Sequence, residues 1–440
     1  METTHRPGPS AFKALACGLL ATMIVASGCQ AAPRHRGGGA RTQGGQPGPP
    51  PDGGPQGNRT YDMAQTLSDG AQLHTIAFSG FAFLTGSLGA DSFFPPGKVA
   101  DWWGFQYLRD NDPSQLGHNT DFLTKAAYNM LYVLSDDQRA QLIALAQQQV
   151  EQINNYGMWR FPLMQAFRRQ LAGDVPAGSQ GLSKAAVLDY SARLYKVDGE
   201  MSLQRAQVMG SILHGLSAQQ HAYLDKLKGT GMATWPTLAE PIDRRTLPHD
   251  VHVAVMTYAG DMFSWYMGSI EADVYFCPER QGTYFGGFYL KDAPAMGNPN
   301  YTISDHLTGD VGQTMVAKLS ADQAQNITNL YATQAPVLQD IVTTRRAIAT
   351  QLRRYIAGET PDKAQVLALA QRYGQLDGEI IYGDATAFAK VGQSLTAQQK
   401  TDLAAMRQQI GVGVPQGAFL YSTPIELPSI PSTDFLFGVK

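Results

Sequence analysis

The sequence predicts an all-α fold: two tandem, pseudo-symmetric helical units, irregular aromatic and Gly-rich segments, and an extended C-terminal tail. Three observations carry this. Gln138 to Ile153 and Ala321 to Ile356 are rich in Ala, Leu, Gln and Arg, with apolar residues three and four apart. That spacing lays an apolar stripe along one helix face. A set of ordered blocks occurs twice along the chain, and a short helix-start motif occurs four times.

The chain opens on an export signal. His5, Arg6 and Lys13 make a basic start, Ala14 to Val25 an apolar run, and Ala26-Ser27-Gly28-Cys29 a cleavage site for a lipoprotein peptidase. The run is too short for a spanning helix and reads as a signal peptide over 1–28, with Cys29 lipidated. An ordinary secretory peptide cut nearby is the alternative. Gln30 rather than Asp follows the cysteine, which directs the expectation to a periplasm-facing lipoprotein of the outer membrane. Residues 29–60 are Gly, Pro, Gln and Arg with almost no apolar side chains. They bury too little to offset their ordering entropy and read as a disordered tether. Their basic residues, Arg34, His35, Arg36 and Arg41, are placed to touch anionic head groups.

The remainder, about 380 residues, is long enough for two domains. Basic residues number 34 and acidic residues 37, so no nucleic-acid partner is implied. Of the three cysteines, Cys17 leaves with the signal and Cys29 is committed to lipid, so Cys277 has no internal disulfide partner. Neither CxxCH nor CxxC occurs, which removes covalent haem c and zinc-ribbon readings.

The repeated blocks define the units. Gly86-Ser87-Leu88-Gly89-Ala90-Asp91-Ser92-Phe93-Phe94 returns as Gly268-Ser269-Ile270-Glu271-Ala272-Asp273-Val274-Tyr275-Phe276. Trp102-Trp103-Gly104 with Tyr107-Leu108-Arg109-Asp110 returns as Tyr284-Phe285-Gly286 with Tyr289-Leu290-Lys291-Asp292. Arg168-Arg169-Gln170-Leu171-Ala172-Gly173-Asp174 matches Arg353-Arg354-Tyr355-Ile356-Ala357-Gly358-Glu359, and Val197-Asp198-Gly199-Glu200 matches Leu376-Asp377-Gly378-Glu379. The units span 70–228 and 252–408. A Pro-containing connector, 229–251, joins them, and a Pro-rich tail, 409–440, follows. The aromatic stretches 75–110 and 257–292 are compatible both with helices packed through Gly and with irregular loops.

The helix-start motif reads Leu134-Ser135-Asp136-Asp137-Gln138, Leu216-Ser217-Ala218-Gln219-Gln220, Leu319-Ser320-Ala321-Asp322-Gln323 and Leu395-Thr396-Ala397-Gln398-Gln399. Each is a capping box. The Ser or Thr oxygen accepts from the backbone N–H three residues on, and the Gln side chain reaches back to the cap residue's N–H. The preceding Leu is placed to plug into the core.

These four motifs, two per unit in an exported helical chain, resemble the LTXXQ motif of the Spy/CpxP family of periplasmic proteins. The resemblance covers 134–228 and 319–408. It implies an all-α cradle-like body and a non-enzymatic role as a chaperone or envelope-stress factor, with unfolded or envelope proteins as partners. On this resemblance the chain looks like two family-like units fused, a dimer made covalent.

Several residues are candidates for chemistry. Both copies keep Asp91/Asp273, Asp110/Asp292, Asp198/Asp377 and Glu200/Glu379, with Arg109/Lys291, Arg168/Arg353, Arg169/Arg354 and Arg193/Arg372. Retained charges of this kind serve either as buried ion pairs that fix how helices meet or as a site. As a binding site, Asp91, Asp110, Asp273 and Asp292 are the candidates. Asp91 and Asp273 each sit beside much apolar surface and require a partner, with Arg193 and Arg372 among the possible cations. Cys277, in place of Pro95 and among aromatics, reads as a small buried hydrophobe or, with Met296, as a soft ligand for copper or haem. His249 and His252, three apart, have a spacing that holds a metal on a helix, with surface histidines as the alternative. GxSxG, HExxH and P-loop patterns do not occur, so no enzyme is expected.

Overall fold

The computed structural model describes residues 69–86, 121–228, 234–267, 311–409, 418–420, 423–426 and 428–439. The described part is all-α, apart from one short hairpin in the tail. In chain order the helices are α1 Asp69–Thr85, α2 Asp121–Val133, α3 Asp136–Trp159, α4 Phe161–Ala172, α5 Lys184–His214, α6 Ala218–Leu227 and α7 His249–Met267. There follow α8 Val311–Ala317, α9 Ala321–Thr328, α10 Leu330–Arg353, α11 Lys363–Ser394 and α12 Ala397–Gln409. Single 3₁₀ turns cover Arg244–Thr246, Arg354–Ala357 and Asp434–Phe437. In the tail, β1 Ala418–Leu420 pairs antiparallel with β2 Thr423–Ile425.

The order of α1 to α6 recurs in α7 to α12. The copies differ in where the helix after the first box breaks. In the first it breaks at Arg160, because Pro162 enters the first turn of α4 without an N–H to donate. In the second, the expected single helix 321–356 steps at Asn329, while Pro336 is carried inside α10. Both copies then end this run on a left-handed glycine, Gly173 (φ 75°) and Gly358 (φ 77°). Beyond it, Asp174 N–H bonds Arg169 O at 2.9 Å and Glu359 N–H bonds Arg354 O at 2.9 Å.

The long helices α5 and α11, of 31 and 32 residues, form the central seam. Glycine lets them approach. A Cβ on Gly374 would lie 2.6 Å from Ser191 O and 2.7 Å from Ala192 Cα, and one on Gly378 would lie 2.9 Å from Leu188 Cα. Contacts across the seam run both ways. The His214 ring at the end of α5 meets Ile356 O at 2.9 Å, and at the corresponding position of α11 Gln393 donates to Gln170 O at 2.7 Å.

All described residues belong to one compact body, Gly54–Lys440, with one continuous apolar core. The reason is where the first helix of each copy packs. Helix α1 lies mainly against α8, α9, α10 and α11, whereas α7 lies against α2, α3 and α5. Each copy's opening helix therefore completes the other copy's layer. Ile76, Phe81 and Phe83 of α1 and Val255, Tyr258 and Phe263 of α7 are buried there, at roughly 1.5–3 kcal/mol for a fully buried large apolar side chain. The first parts of both aromatic stretches, 75–85 and 257–267, are thus helical. Among the described residues no helix is long and apolar enough to cross a membrane.

Candidate functional site

The four helix starts fold as the sequence predicts and also meet in pairs. In all four boxes the cap oxygen accepts from the Gln N–H, and the Gln carbonyl accepts from the cap N–H. The glutamine amides are left over, and they join the boxes of one copy. Gln220 Nε2 donates to Gln138 Oε1 at 2.6 Å and to Val133 O at 2.9 Å. In the second copy Gln399 Nε2 donates to Gln323 Oε1 at 2.8 Å and to Lys318 O at 3.0 Å. Val133 and Lys318 sit at corresponding positions, one residue before the motif. One amide thus closes a helix N-terminus, ties two helix starts together, and accounts for an orphan carbonyl at the end of the preceding helix. This explains why the motif needs Gln in particular: Glu reproduces the box but has no amide to donate. The motif leucines contribute unequally, with Leu134 and Leu216 buried and Leu319 and Leu395 half-buried.

Beside the second pair a groove of about 660 Å³ opens between α9 and the end of α11. Gln323, Asn326 and Asn329 line one side, and Lys390 and Ser394 the other. Lys390 Nζ donates to Asn326 Oδ1 at 2.9 Å. The groove offers amides, hydroxyls, the Asp322 carboxylate and one ammonium, and so is suited to hydrogen bonding.

Behind each pair lies a buried polar position that the motif search did not reach. In the first copy Gln149 is held between Tyr258 Oη (2.7 Å), Gln204 Oε1 (2.9 Å) and Met201 O (3.0 Å). Arg205 and Asp261 are buried nearby, and burial pushes the Tyr258 phenol well above its usual range. In the second copy Gln334 Nε2 donates to Asp384 at 2.5 Å. Burial raises the Asp384 carboxyl to about 7; the Gln334 hydrogen bond opposes this and the Asp377 charge adds to it. Arg168 is lowered to about 9, first by burial and then by Arg407. It donates to Phe83 O and lies over the Phe83 ring at 4.6 Å, while its counterpart Arg353 donates to Trp265 O at 3.2 Å.

The remaining predicted residues divide into four groups. Asp198 and Asp377 are buried, and Asp377 accepts from Ser191 Oγ at 3.3 Å. Arg193 and Arg372 are corrected. Neither is a buried cation: they pair at the surface with Asp189 (2.8 Å) and Asp340 (3.2 Å), because both side chains are more than half exposed. Cys29, Asp91, Asp110, Asp273, Asp292, Cys277 and Met296 lie outside the described residues. Of the histidine pair, His252 meets Glu240 at 3.1 Å, and burial lowers its pKa. Among the described residues no group of three or more His, Cys, Asp or Glu is placed to hold a metal. Extending the repeat alignment from the boxes would have paired Gln149 with Gln334 and His214 with Gln393. That was the available signal for these positions.

Scans of family models, of curated proteins and of solved structures each found no match to this chain.

Proposed function

We propose that this chain is an exported, lipid-anchored helical protein of the cell envelope. In it two Spy/CpxP-like units, duplicated in tandem and sharing their opening helices, bind unfolded or envelope proteins without catalysis. One observation carries the reading. The two motifs of each copy form one joint, Gln138 with Gln220 and Gln323 with Gln399, in closely similar geometry. A motif used twice for the same three-way closure belongs to a repeated architectural unit rather than to four independent helix starts. The same order of helices and the reciprocal packing of α1 and α7 support a pseudo-twofold relation between the units, the usual arrangement of a homodimer. Among the described residues the large apolar side chains that stand exposed are Tyr132, Trp159 and Phe435. Tyr132 lies against Tyr223, and Tyr190, beside Phe435, donates to Trp159 O, so they form two aromatic patches suited to protein contacts.

The test is suppression of aggregation. Full-length protein starting at residue 30 should suppress light scattering by thermally unfolded citrate synthase at near-equimolar ratio, and Trp159→Ala should weaken the effect. No suppression at tenfold excess removes the chaperone reading. The anchor is tested separately in cells: Cys29→Ser should release the protein from membranes, and its retention after a salt wash would count against lipidation.

A further inference from the structure

The two copies differ most plainly in the loop that follows the left-handed glycine. In the second copy Gly358 is followed at once by Glu359-Thr360-Pro361-Asp362, and α11 begins at Lys363. In the first copy the loop is longer, Asp174 to Ser183, before α5 begins at Lys184. The extra residues make a slot, and the slot holds the end of the chain. Ser183 N–H donates to Leu436 O at 2.8 Å, and Ser179 Oγ donates to Phe437 O at 2.8 Å. Arg169 donates to Asp434 Oδ1 at 2.7 Å and to Thr433 Oγ1 at 3.0 Å, with its guanidinium 5.0 Å from the centre of the Phe437 ring. Leu436, Phe437 and Thr433 are buried, and Gly438 turns the chain away with φ 75°. Three kinds of contact that peptide sites use are present: main-chain hydrogen bonds, two apolar anchors, and a charged pair that sets register.

The second copy acts as an internal control. Among the described residues the side chain of Arg354, the counterpart of Arg169, meets the Glu359 carboxylate of its own cap, at 3.0 Å, and no segment of the tail. The second copy closes this corner without a peptide, whereas in the first the longer loop is packed against the tail.

We propose that the first copy carries a peptide-binding slot for a Thr-Asp-aromatic-Leu-Phe-Gly segment, filled in cis by residues 433–438. The occupant arrives from α12 of the second copy, so the bound tail is a detachable strap across the two copies. Glu426, Ser429, Pro431 and Ser432, just before the anchors, are exposed. The strap can therefore be cut without touching the slot.

A protease site inserted after Glu426 in the full chain allows the folded protein to be cut. The released tail should co-elute with the body on gel filtration. A labelled synthetic peptide of residues 428–440 should then displace it, with saturable 1:1 binding. Leu436→Ala in the peptide should weaken binding about a hundredfold, and Asp434→Ala about fivefold. Arg169→Ala in the cut body should weaken binding at least as much as Asp434→Ala, because Thr433 and the Phe437 ring lose their contact too, whereas Arg354→Ala should leave binding unchanged. A cut tail that separates and does not rebind would overturn the proposal. So would a tail that stays but cannot be exchanged by peptide, since it would then be core rather than ligand.

Discussion

At one buried position behind each helix-start pair, the two copies carry opposite charges. Arg205 on α5 and Asp384 on α11 occupy corresponding places in the repeat, each near the corresponding glutamine, Gln149 or Gln334. The first copy surrounds its arginine with polar partners: Ser202 accepts from it at 3.1 Å, the Tyr258 ring lies 6.0 Å away, and Asp261 is buried in the same region. Tyr258 and Asp261 come from α7 of the second copy, and the matching positions of α1 in the first copy are Ile76 and Ser79. The second copy's acid consequently sits in a poorer setting, and burial lifts it to about 7. The sign change between Arg205 and Asp384 is thus accompanied by a change in the opening helix that packs in that half, Tyr258 and Asp261 against Ile76 and Ser79.

The largest expected effect tests the seam that brings the copies together. Corresponding residues Tyr195 and Gly374 face one another across it, and a Cβ on Gly374 would lie 2.8 Å from Tyr195 Cβ and still closer to α5 backbone. Gly374→Ala should destabilise the whole molecule by about 3 kcal/mol, since helix backbones must separate to admit it. At Gly199 the nearest atom is the Ala370 methyl at 2.6 Å, with no backbone among the closest contacts. Gly199→Ala should therefore cost less, and the paired change Gly199→Ala with Ala370→Gly should recover most of the loss. Chemical denaturation of the variants measures this; equal costs for Gly374→Ala and Gly199→Ala would break the asymmetry.

The second prediction isolates Asp384. Its carboxyl titrates near 7 in the folded chain against an ordinary value of 3.8. Between those values the folded state binds more protons than the unfolded state. Its contribution is therefore complete below about pH 4 and is lost as pH rises toward and through 7. Stability should fall by about 2–3 kcal/mol from pH 5 to pH 8 on this account. Asp384→Asn should flatten that slope and stabilise the protein at pH 8. Urea midpoints at the two pH values decide it, and an unchanged slope in Asp384→Asn would place the titration elsewhere.

The third concerns what the copies share. Gln220→Ala and Gln399→Ala each delete a box and the amide that joins it to its neighbour. Each should cost about 1–2 kcal/mol, by similar amounts in both copies. Glu at either position should restore part of the loss, the box without the joint. A double-mutant cycle on Gln138 and Gln220 that gives no coupling would show the boxes acting independently.

Much of this was legible in the sequence, for identifiable reasons. The boxes are local chemistry, Ser or Thr with Gln three residues on, so all four helix starts could be read directly. The retained Asp198 and Asp377, at the same helical phase in both copies, share one environment, and both are buried. Other features depended on which helix faces which. Repetition says that α1 and α7 are alike; it does not say that each packs against the other copy. Arg193 and Arg372 are retained too, yet they lie at the surface, because retention alone does not separate buried from solvated charge. Asp384 escaped notice because its counterpart is Arg205, so a search for shared acids passes over it. The tail slot depends on an added loop and a distant segment, and neither signals the other.

The smallest effect is also the most diagnostic of the difference between copies. Arg169 and Arg354 are matched by the repeat, and each bonds the acid just after its helix, Asp174 at 2.9 Å and Glu359 at 3.0 Å. Exposed pairs of this kind contribute little, because water and salt screen them and holding two long side chains costs entropy. Arg354→Ala should therefore change stability by no more than about 0.5 kcal/mol. Arg169 is less exposed and adds Asp434, Thr433 and the face of Phe437. Its removal should cost about 1 kcal/mol, and the excess over Arg354→Ala should vanish once the tail has been cut and removed. Raising the salt from 50 mM to 1 M, roughly a four- to fivefold shortening of the screening length, should shrink the ionic part of that excess and leave the Phe437 packing part. Thermal melts of the two single variants, with the strap intact and removed, measure all of this. An excess that survives removal of the tail would mean that Arg169 differs from Arg354 for reasons within its own copy, and the contrast between the two loops would lose its meaning.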